Sequence, residues 1–348
     1  MRRLQRKGFI LVATLWMLAA CTIAMTLFAA WVSRATDRAL ALNEDTRAAI
    51  DMFTTRETLL YLASTRGLTH RGINLPAGPT DNGSPAAPDA HHEILLDSTP
   101  YKGLQRARFN LQDEAGLINL NKTSSGGEAI ENLLSQRGIS NSGERYRLLS
   151  ALRDYTEHGL ERTFLAPSLQ DYRKAGRPEP LYRPLISNHE SWRALGWEKH
   201  PQLWEGNYLA NFTTVLHYGG LNVNTAPREV LQAVARLNES EAQAAIDARR
   251  ERGFATAREA EVRGGLPMSA NLLSLAIVPS RHLRLTLWHS EANRGVRYHI
   301  TVTPERHGAG PWLVDHVYPV SGVQIADGAD PAEVASPLLT SPDSGTAN

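Results

Sequence analysis

Two Asn-x-Asn elements carry the residue types and spacing most suited to specific chemistry: Asn119-Leu120-Asn121, and further along Asn222-Val223-Asn224 followed by Thr225-Ala226-Pro227. An Asn side chain accepts a hydrogen bond from the backbone two residues on, so an Asn before a helix fixes how the chain enters it. Thr225 is placed to cap a helix with Pro227 in its first turn, and a second helix is expected from about Glu239. This is a helix-hairpin-helix outline. Nucleic-acid-binding versions bring the bare backbone N–H groups of a Gly-rich turn against a phosphate. Here residues 236–240 read Arg-Leu-Asn-Glu-Ser, with no Gly and with an acid. No nucleic-acid partner is expected, and Asn119, Asn121, Asn222 and Asn224 read as residues that fix backbone rather than hold a ligand. The two elements fit an old internal duplication equally well.

Catalytic patterns are missing. The 12 histidines form no H-E-x-x-H, and neither G-x-S-x-G nor G-x-x-x-x-G-K-[ST] occurs. Ser33 and Ser124 have no activating base in their sequence context, and His91-His92 sits in a polar stretch. Cys21, the single cysteine, lies inside an apolar run, so one copy of the chain can form neither a disulfide nor a cysteine zinc site. An enzyme is not expected and no cofactor is required. With Lys plus Arg 37 and Asp plus Glu 36, the formal charge of +1 gives no global pull toward nucleic acid or anionic lipid. The 348 residues, 42% hydrophobic and 21% charged, exclude wholesale disorder and can fill one large or two modest cores.

The elements that must position these residues begin with an anchor. Residues 1–8 carry Arg2, Arg3, Arg6 and Lys7 without an acid, and residues 9–32 run for 24 residues without a charge. At about 1.5 Å per residue such a helix spans a hydrocarbon core of roughly 30 Å. The basic flank keeps the N-terminus cytoplasmic and sends the bulk of the chain outward. A cleaved secretory signal is the alternative; the apolar run is about twice a normal h-region and ends in a poor cleavage context. Helical character continues to about Ala63, with Leu42, Ala49, Phe53, Leu60 and Ala63 on one apolar face.

A basic leader ending in Gly8, then Phe9 and a span that continues as a helix, resembles the N-terminus of type IV pilins and pseudopilins. The resemblance implies cutting between Gly8 and Phe9 by a prepilin peptidase, with methylation; an ordinary signal-anchor with a stalk is the alternative. Residues 110–121 read N-L-Q-D-E-A-G-L-I-N-L-N, and residues 221–231 read L-N-V-N-T-A-P-R-E-V-L, followed by helical sequence to Ala260. Together with the leader they are similar to the minor pseudopilin K family of the type II secretion system (general secretion pathway protein K), from Gly8 to about residue 320. The fifth residue after the junction is Ala13, where most pilin-like subunits have a Glu. Family members typically lack that acid.

The expected layout is a leader at 1–8, the transmembrane part of a helix at 9–32 and its soluble part at 33–66. A loop and first strands occupy 67–122, an inserted helical domain 123–280 with the hairpin element at 221–263, closing strands 281–320, and a disordered tail 321–348. The fold class is α+β: a type IV pilin-like long N-terminal helix packed on a small antiparallel sheet, with a large, mostly helical domain inserted in the sheet.

The resemblance also implies a cation site. Family members often carry an acid-rich run suited to calcium, and here Asp154, Glu157 and Asp171 stand at the corresponding places while Gly159 replaces another acid. A solvated helix end without a ligand accounts for them as well. The partners implied are the I and J minor pseudopilins, the major pseudopilin, the prepilin peptidase and the inner membrane, with one pass and most of the chain periplasmic. The function implied is a structural subunit at the tip of a secretion pseudopilus that helps start assembly and export. The alternative is a membrane-anchored helix-hairpin-helix DNA receptor or competence-type pseudopilin.

Overall fold

Residues 282–289, His-Leu-Arg-Leu-Thr-Leu-Trp-His, alternate strictly, so as a strand they put Leu283, Leu285 and Leu287 on one face and Arg284, Thr286 and Trp288 on the other. A computed structural model describes residues 9–75, 93–157, 165–216, 219–267, 275–290, 294–305, 310–321, 331–334, 336 and 338–339. Its strands are β1 (Gly72–Asn74), β2 (Glu93–Leu95), β3 (Asp97–Lys102), β4 (Ala107–Asp113), β5 (Ile118–Asn119), β6 (Thr213–Thr214), β7 (His282–His289), β8 (Arg294–Val302) and β9 (Trp312–Ser321). The helices are α1 (Phe9–Thr65), α2 (Thr123–Gln136), α3 (Ser142–Thr156), α4 (Leu169–Lys174), α5 (Tyr208–Phe212), α6 (Arg228–Ala235), α7 (Glu239–Glu251) and α8 (Ala257–Gly264).

The chain forms two units, Met1–Asp51 and Met52–Asn348. In the first, α1 is long and apolar enough to cross a membrane, with a window of mean hydropathy 2.2 and none of it buried. Thr14, Thr22 and Thr26 turn their hydroxyls back onto the carbonyls of Leu11, Leu18 and Ile23, at 2.8–2.9 Å. Their polar atoms are thereby satisfied within the helix, as a lipid environment requires.

In the second unit a five-stranded antiparallel sheet has the order β3-β4-β7-β8-β9. Its neighbours β4 and β7 are separated in sequence by α2 to α8 and several short 3-10 turns, which is the mostly helical insertion. One sheet face is apolar: Phe109, Leu111, Leu283, Leu285, Leu287, Ile300 and Val302 form one core with Leu59, Leu60 and Leu62 of α1. A second core lies within the insertion, around Trp197, Tyr155, Leu203, Leu209 and Phe254.

Several expectations need correction. In the soluble stretch of α1, Leu60 and Ala63 are buried but Phe53 is 56% exposed; Thr55, Leu59 and Leu62 take the inner face instead. At about 100° per residue Phe53 lies on nearly the opposite side of the helix from Thr55, so the inner face is rotated away from the expected one. The loop expected at the start of 67–122 contains β1, paired with β2, and residues 76–92 lie outside the described residues. The chain leaves the main sheet after Asp113 rather than at residue 122, because β5 pairs in parallel with β6 of the insertion and not with the sheet. The tail at 321–348 is packed where it is described. Ala332 bonds Pro100 and Lys102 at the edge of β3, and Val334 and Leu339 are buried in the sheet core. Apolar residues spaced through Ala- and Pro-rich sequence supply that anchor, which composition alone conceals.

Candidate functional site

The two sequence elements meet at a buried carboxylate. β4 ends at Asp113, whose Oδ1 accepts from the backbone N–H of Ala115 at 3.0 Å and from the N–H and hydroxyl of Ser280 at 3.0 and 2.7 Å. Its Oδ2 accepts from Asn222 Nδ2 at 2.8 Å and from Thr225 Oγ1 at 3.1 Å. Asp113 therefore joins the exit of the chain from the sheet, its return beside β7 and the head of the hairpin. Gly116 is required by the close approach, since a Cβ there would lie 2.7–2.8 Å from Thr225 atoms. Thr225 thus faces Asp113 and is not the helix cap; Pro227 is the residue before α6 and makes no side-chain cap bond. Close packing outcompetes the local cap preference.

Both Asn-x-Asn elements use one device. The first Asn turns the backbone: Asn222 Oδ1 accepts from Asn224 N at 3.0 Å, and Asn119 Oδ1 from Asn121 N at 2.7 Å. The second Asn clamps distant loops. Asn224 bonds both backbone groups of Phe254 at 2.8–2.9 Å and the carbonyl of Ile277 at 3.0 Å. Asn121 bonds both backbone groups of Leu185 at 2.8–3.1 Å and the carbonyl of Val215 at 3.2 Å. Buried Arg249 of α7 adds two bonds, to the carbonyls of Val223 and Ala226 at 2.8 and 2.7 Å. In the turn between α6 and α7, Arg236 takes a left-handed conformation (φ 54°) and Asn238 caps α7 in a capping box with Glu241. No Gly brings the backbone toward a phosphate there.

The second face of the sheet is polar yet buried beneath the insertion. Arg284 donates to the carbonyls of Ala210 and Asn211 at 2.6 and 2.8 Å, and Arg297 Nε to Thr286 Oγ1 at 3.1 Å. His299 Nδ1 lies 2.7 Å from Glu114 Oε1, its Nε2 is 3.3 Å from Tyr318 Oη, and its ring stacks on His316 at 3.9 Å. Burial alone would raise the Glu114 carboxyl, but His299, Arg284 and the Thr214 hydroxyl hold it down at about 2. Burial, then the His299 ring, pushes His316 down to about 4. Burial and then the neighbouring Arg297 lower Arg284 to about 10. Sequence reasoning missed Asp113, Glu114, Arg284, Arg297, His299 and His316. Arg284, Arg297, His299 and His316 gave a signal as polar residues on alternate strand positions, a pattern that ordinarily marks a solvated face, whereas Asp113 and Glu114 are consecutive, at the end of β4 and in the 3-10 turn that follows.

The acids tied to a cation are dispersed in their tasks. Glu157 accepts from the hydroxyls of Thr123 and Ser124 at 2.6 and 2.9 Å and pairs with Arg153 at 3.3 Å. Asp171 closes a capping box with Ser168 at the start of α4. Asp154 lies in the last turn of α3. Among the described residues no group of three or more His, Cys, Asp or Glu side chains could hold a metal ion, so these acids are not brought together. Gly159 lies outside the described residues, as does Gly8 of the processing site. Phe9 opens α1, and Ala13 and Cys21 are exposed along it.

Residues 221–275, which contain the Asn222 element and α6 to α8, match the family model of type II secretion system protein K. The chain resembles protein K. The resemblance extends to the fold: a chain of the crystal structure of the GspK-GspI-GspJ complex from the enterotoxigenic Escherichia coli type 2 secretion system aligns with a TM-score of 0.53 and 14% identity, covering 81% of this chain and 99% of that one. No curated protein matches the sequence. The family match and the shared fold support a minor pseudopilin, and the apolar part of α1 fits its single membrane anchor.

Proposed function

We propose that this protein is the tip subunit of a type II secretion pseudopilus: a structural protein, not an enzyme, that helps initiate assembly and serves the export of folded proteins across the outer membrane. The family match over residues 221–275 is the observation that carries the pseudopilin reading. Ala13 supports the tip. An uncompensated charge in the apolar phase costs several kcal/mol, so a Glu at this place needs the terminal amine of another subunit as its partner. A subunit with Ala13 needs no subunit above it, while its own amine at Phe9 can still meet a neighbour's acid. The large insertion between β4 and β7 also supports an end position, because a head of that size is difficult to repeat along a packed filament.

The partners in this reading are I- and J-type minor pseudopilins, the major pseudopilin and the prepilin peptidase, with the N-terminus cytoplasmic and the bulk of the chain in the periplasm. The Gly-free turn at Arg236 and Glu239 supports a protein partner over nucleic acid. Coexpression of the full chain with a prepilin peptidase and with I- and J-type subunits tests this. The expected result is Phe9 as the new terminus and a complex purified in detergent. An intact leader, or a folded chain that purifies without either subunit, would overturn it.

A further inference from the structure

A cleft of about 420 Å³ opens between the polar sheet face and α5 with its preceding turn, lined among others by Asn110, Phe212, Arg284, Trp288, Arg297 and Val320. That volume falls within the roughly 300–1,000 Å³ of ligand-holding clefts. Two donors of residues that line it have no partner: Trp288 Nε1 and Arg297 Nη1 are both buried and unbonded, in residues that are 3% and 8% exposed. Trp288 and Arg297 are diagonal neighbours on the same face, since Thr286 pairs with Arg297 and Trp288 with Gly295. A buried N–H without an acceptor is costly, and native proteins rarely leave two side by side.

The charges around the cleft do not balance. Asp97, which lines it, is 3.8 Å from Arg249. Glu114 attracts Arg284, while Arg297 repels it. Among the described residues no ion pair includes Arg297, and the charged residues that line the cleft are two guanidiniums, Arg284 and Arg297, and one carboxylate, Asp97, so one positive charge is in excess. A monoanion cancels that excess, whereas a phosphate group carries about −1.5 to −2 near neutral pH and overshoots. The two unpaired donors are an indole N–H and one amino group of a guanidinium, which match the two oxygens of a carboxylate. Phe212 and Val320 provide apolar wall for an aliphatic stem.

We propose that this cleft receives a carboxylate borne on a short aliphatic stem, bound by Trp288 Nε1 and Arg297 Nη1. This site lies within the Met52–Asn348 unit and does not depend on the pseudopilin reading.

The experiment uses the full chain in detergent micelles, labelled with ¹⁵N at its 7 tryptophan indoles, and titrated with N-acetylglutamate amide, N-acetylglutamine amide and inorganic phosphate. The expected result is a saturable downfield shift of a single indole signal with the glutamate compound and none with its neutral glutamine isostere. The signal is assigned by its loss in Trp288→Phe. Arg297→Lys, which keeps the charge and removes the planar fork, should weaken binding at least about tenfold. No shift by about 50 mM glutamate compound, an equal response to the glutamine compound, or tighter binding of phosphate would each overturn the proposal. The comparison of the two amides on the native chain decides it even where a variant fails to fold.

Discussion

Asp113 at the end of β4 and Asn222 at the head of the hairpin element, 109 residues apart, share a buried hydrogen bond of 2.8 Å between Oδ2 and Nδ2. The same carboxylate holds Ser280 just before β7. A single side chain thus closes the root of the insertion: it meets the chain where it leaves the sheet, where it returns and where the hairpin begins. That geometry gives a physical reason for the two Asn-containing elements to occur together in one sequence, since each completes the other's hydrogen bonds.

Asp113→Ala should therefore destabilise the Met52–Asn348 unit by about 3 kcal/mol or more, because it strands several buried donors at once. Thr225→Val removes one of them and should cost only about 1 kcal/mol. Denaturant midpoints of the two variants check the order. Equal, small shifts would deny Asp113 its central place.

Acidification should weaken the polar face, with the sign set by depressed values. His316 is lowered to about 4, so between pH 6.5 and 4 the unfolded chain takes up a proton that the folded one refuses. Its contribution is complete above pH 6.5 and is lost as the pH falls. Allowing for partial exposure, the loss is on the order of 1–2 kcal/mol. His316→Phe keeps a ring against His299 and cannot titrate, so its melting temperature should fall less steeply from pH 7 to 5 than that of the native protein. Glu114, held at about 2, should add a second loss in the same direction below about pH 4.5. Parallel pH profiles of native protein and variant would show that His316 carries none of the effect.

The sheet strands were legible because their partition is binary. Residues 282–290 alternate strictly, and the structure ends β7 at His289, one residue short of the expected run. α7 likewise starts at Glu239, where the capping residue Asn238 and the acid-rich first turn announce it. What sequence could not reveal was which polar face would be covered. Arg284, Thr286 and Trp288 look like solvent-facing positions until the insertion folds over them, and only tertiary structure says so. Short elements were missed for another reason: α5 has five residues and β5 two, too few for a period to emerge. Thr225 was misread because a local cap rule cannot see a carboxylate 112 residues away.

The acids linked to calcium make a separable prediction. Asp171 accepts from the N–H and hydroxyl of Ser168, at 2.8 and 2.6 Å, in the capping box of α4. Asp171→Ala should cost about 1 kcal/mol, equally in chelator and in millimolar calcium. A calcium-dependent rise in melting temperature that disappears in Asp154→Ala and Asp171→Ala alike would instead assign Asp154, Glu157 and Asp171 to a shared ion.

A tip position depends on Ala13, and the decisive measurement is the place of this subunit on a filament. Overexpression of the major pseudopilin with the epitope-tagged chain yields filaments for immunogold labelling. With native Ala13 the label should sit at one end only. Ala13→Glu gives the subunit an acid that can seek another amine in the low-dielectric bilayer, where the attraction is strong, and label should then also be found along the shaft. Gold scattered along the shaft with native Ala13 would contradict the tip assignment directly.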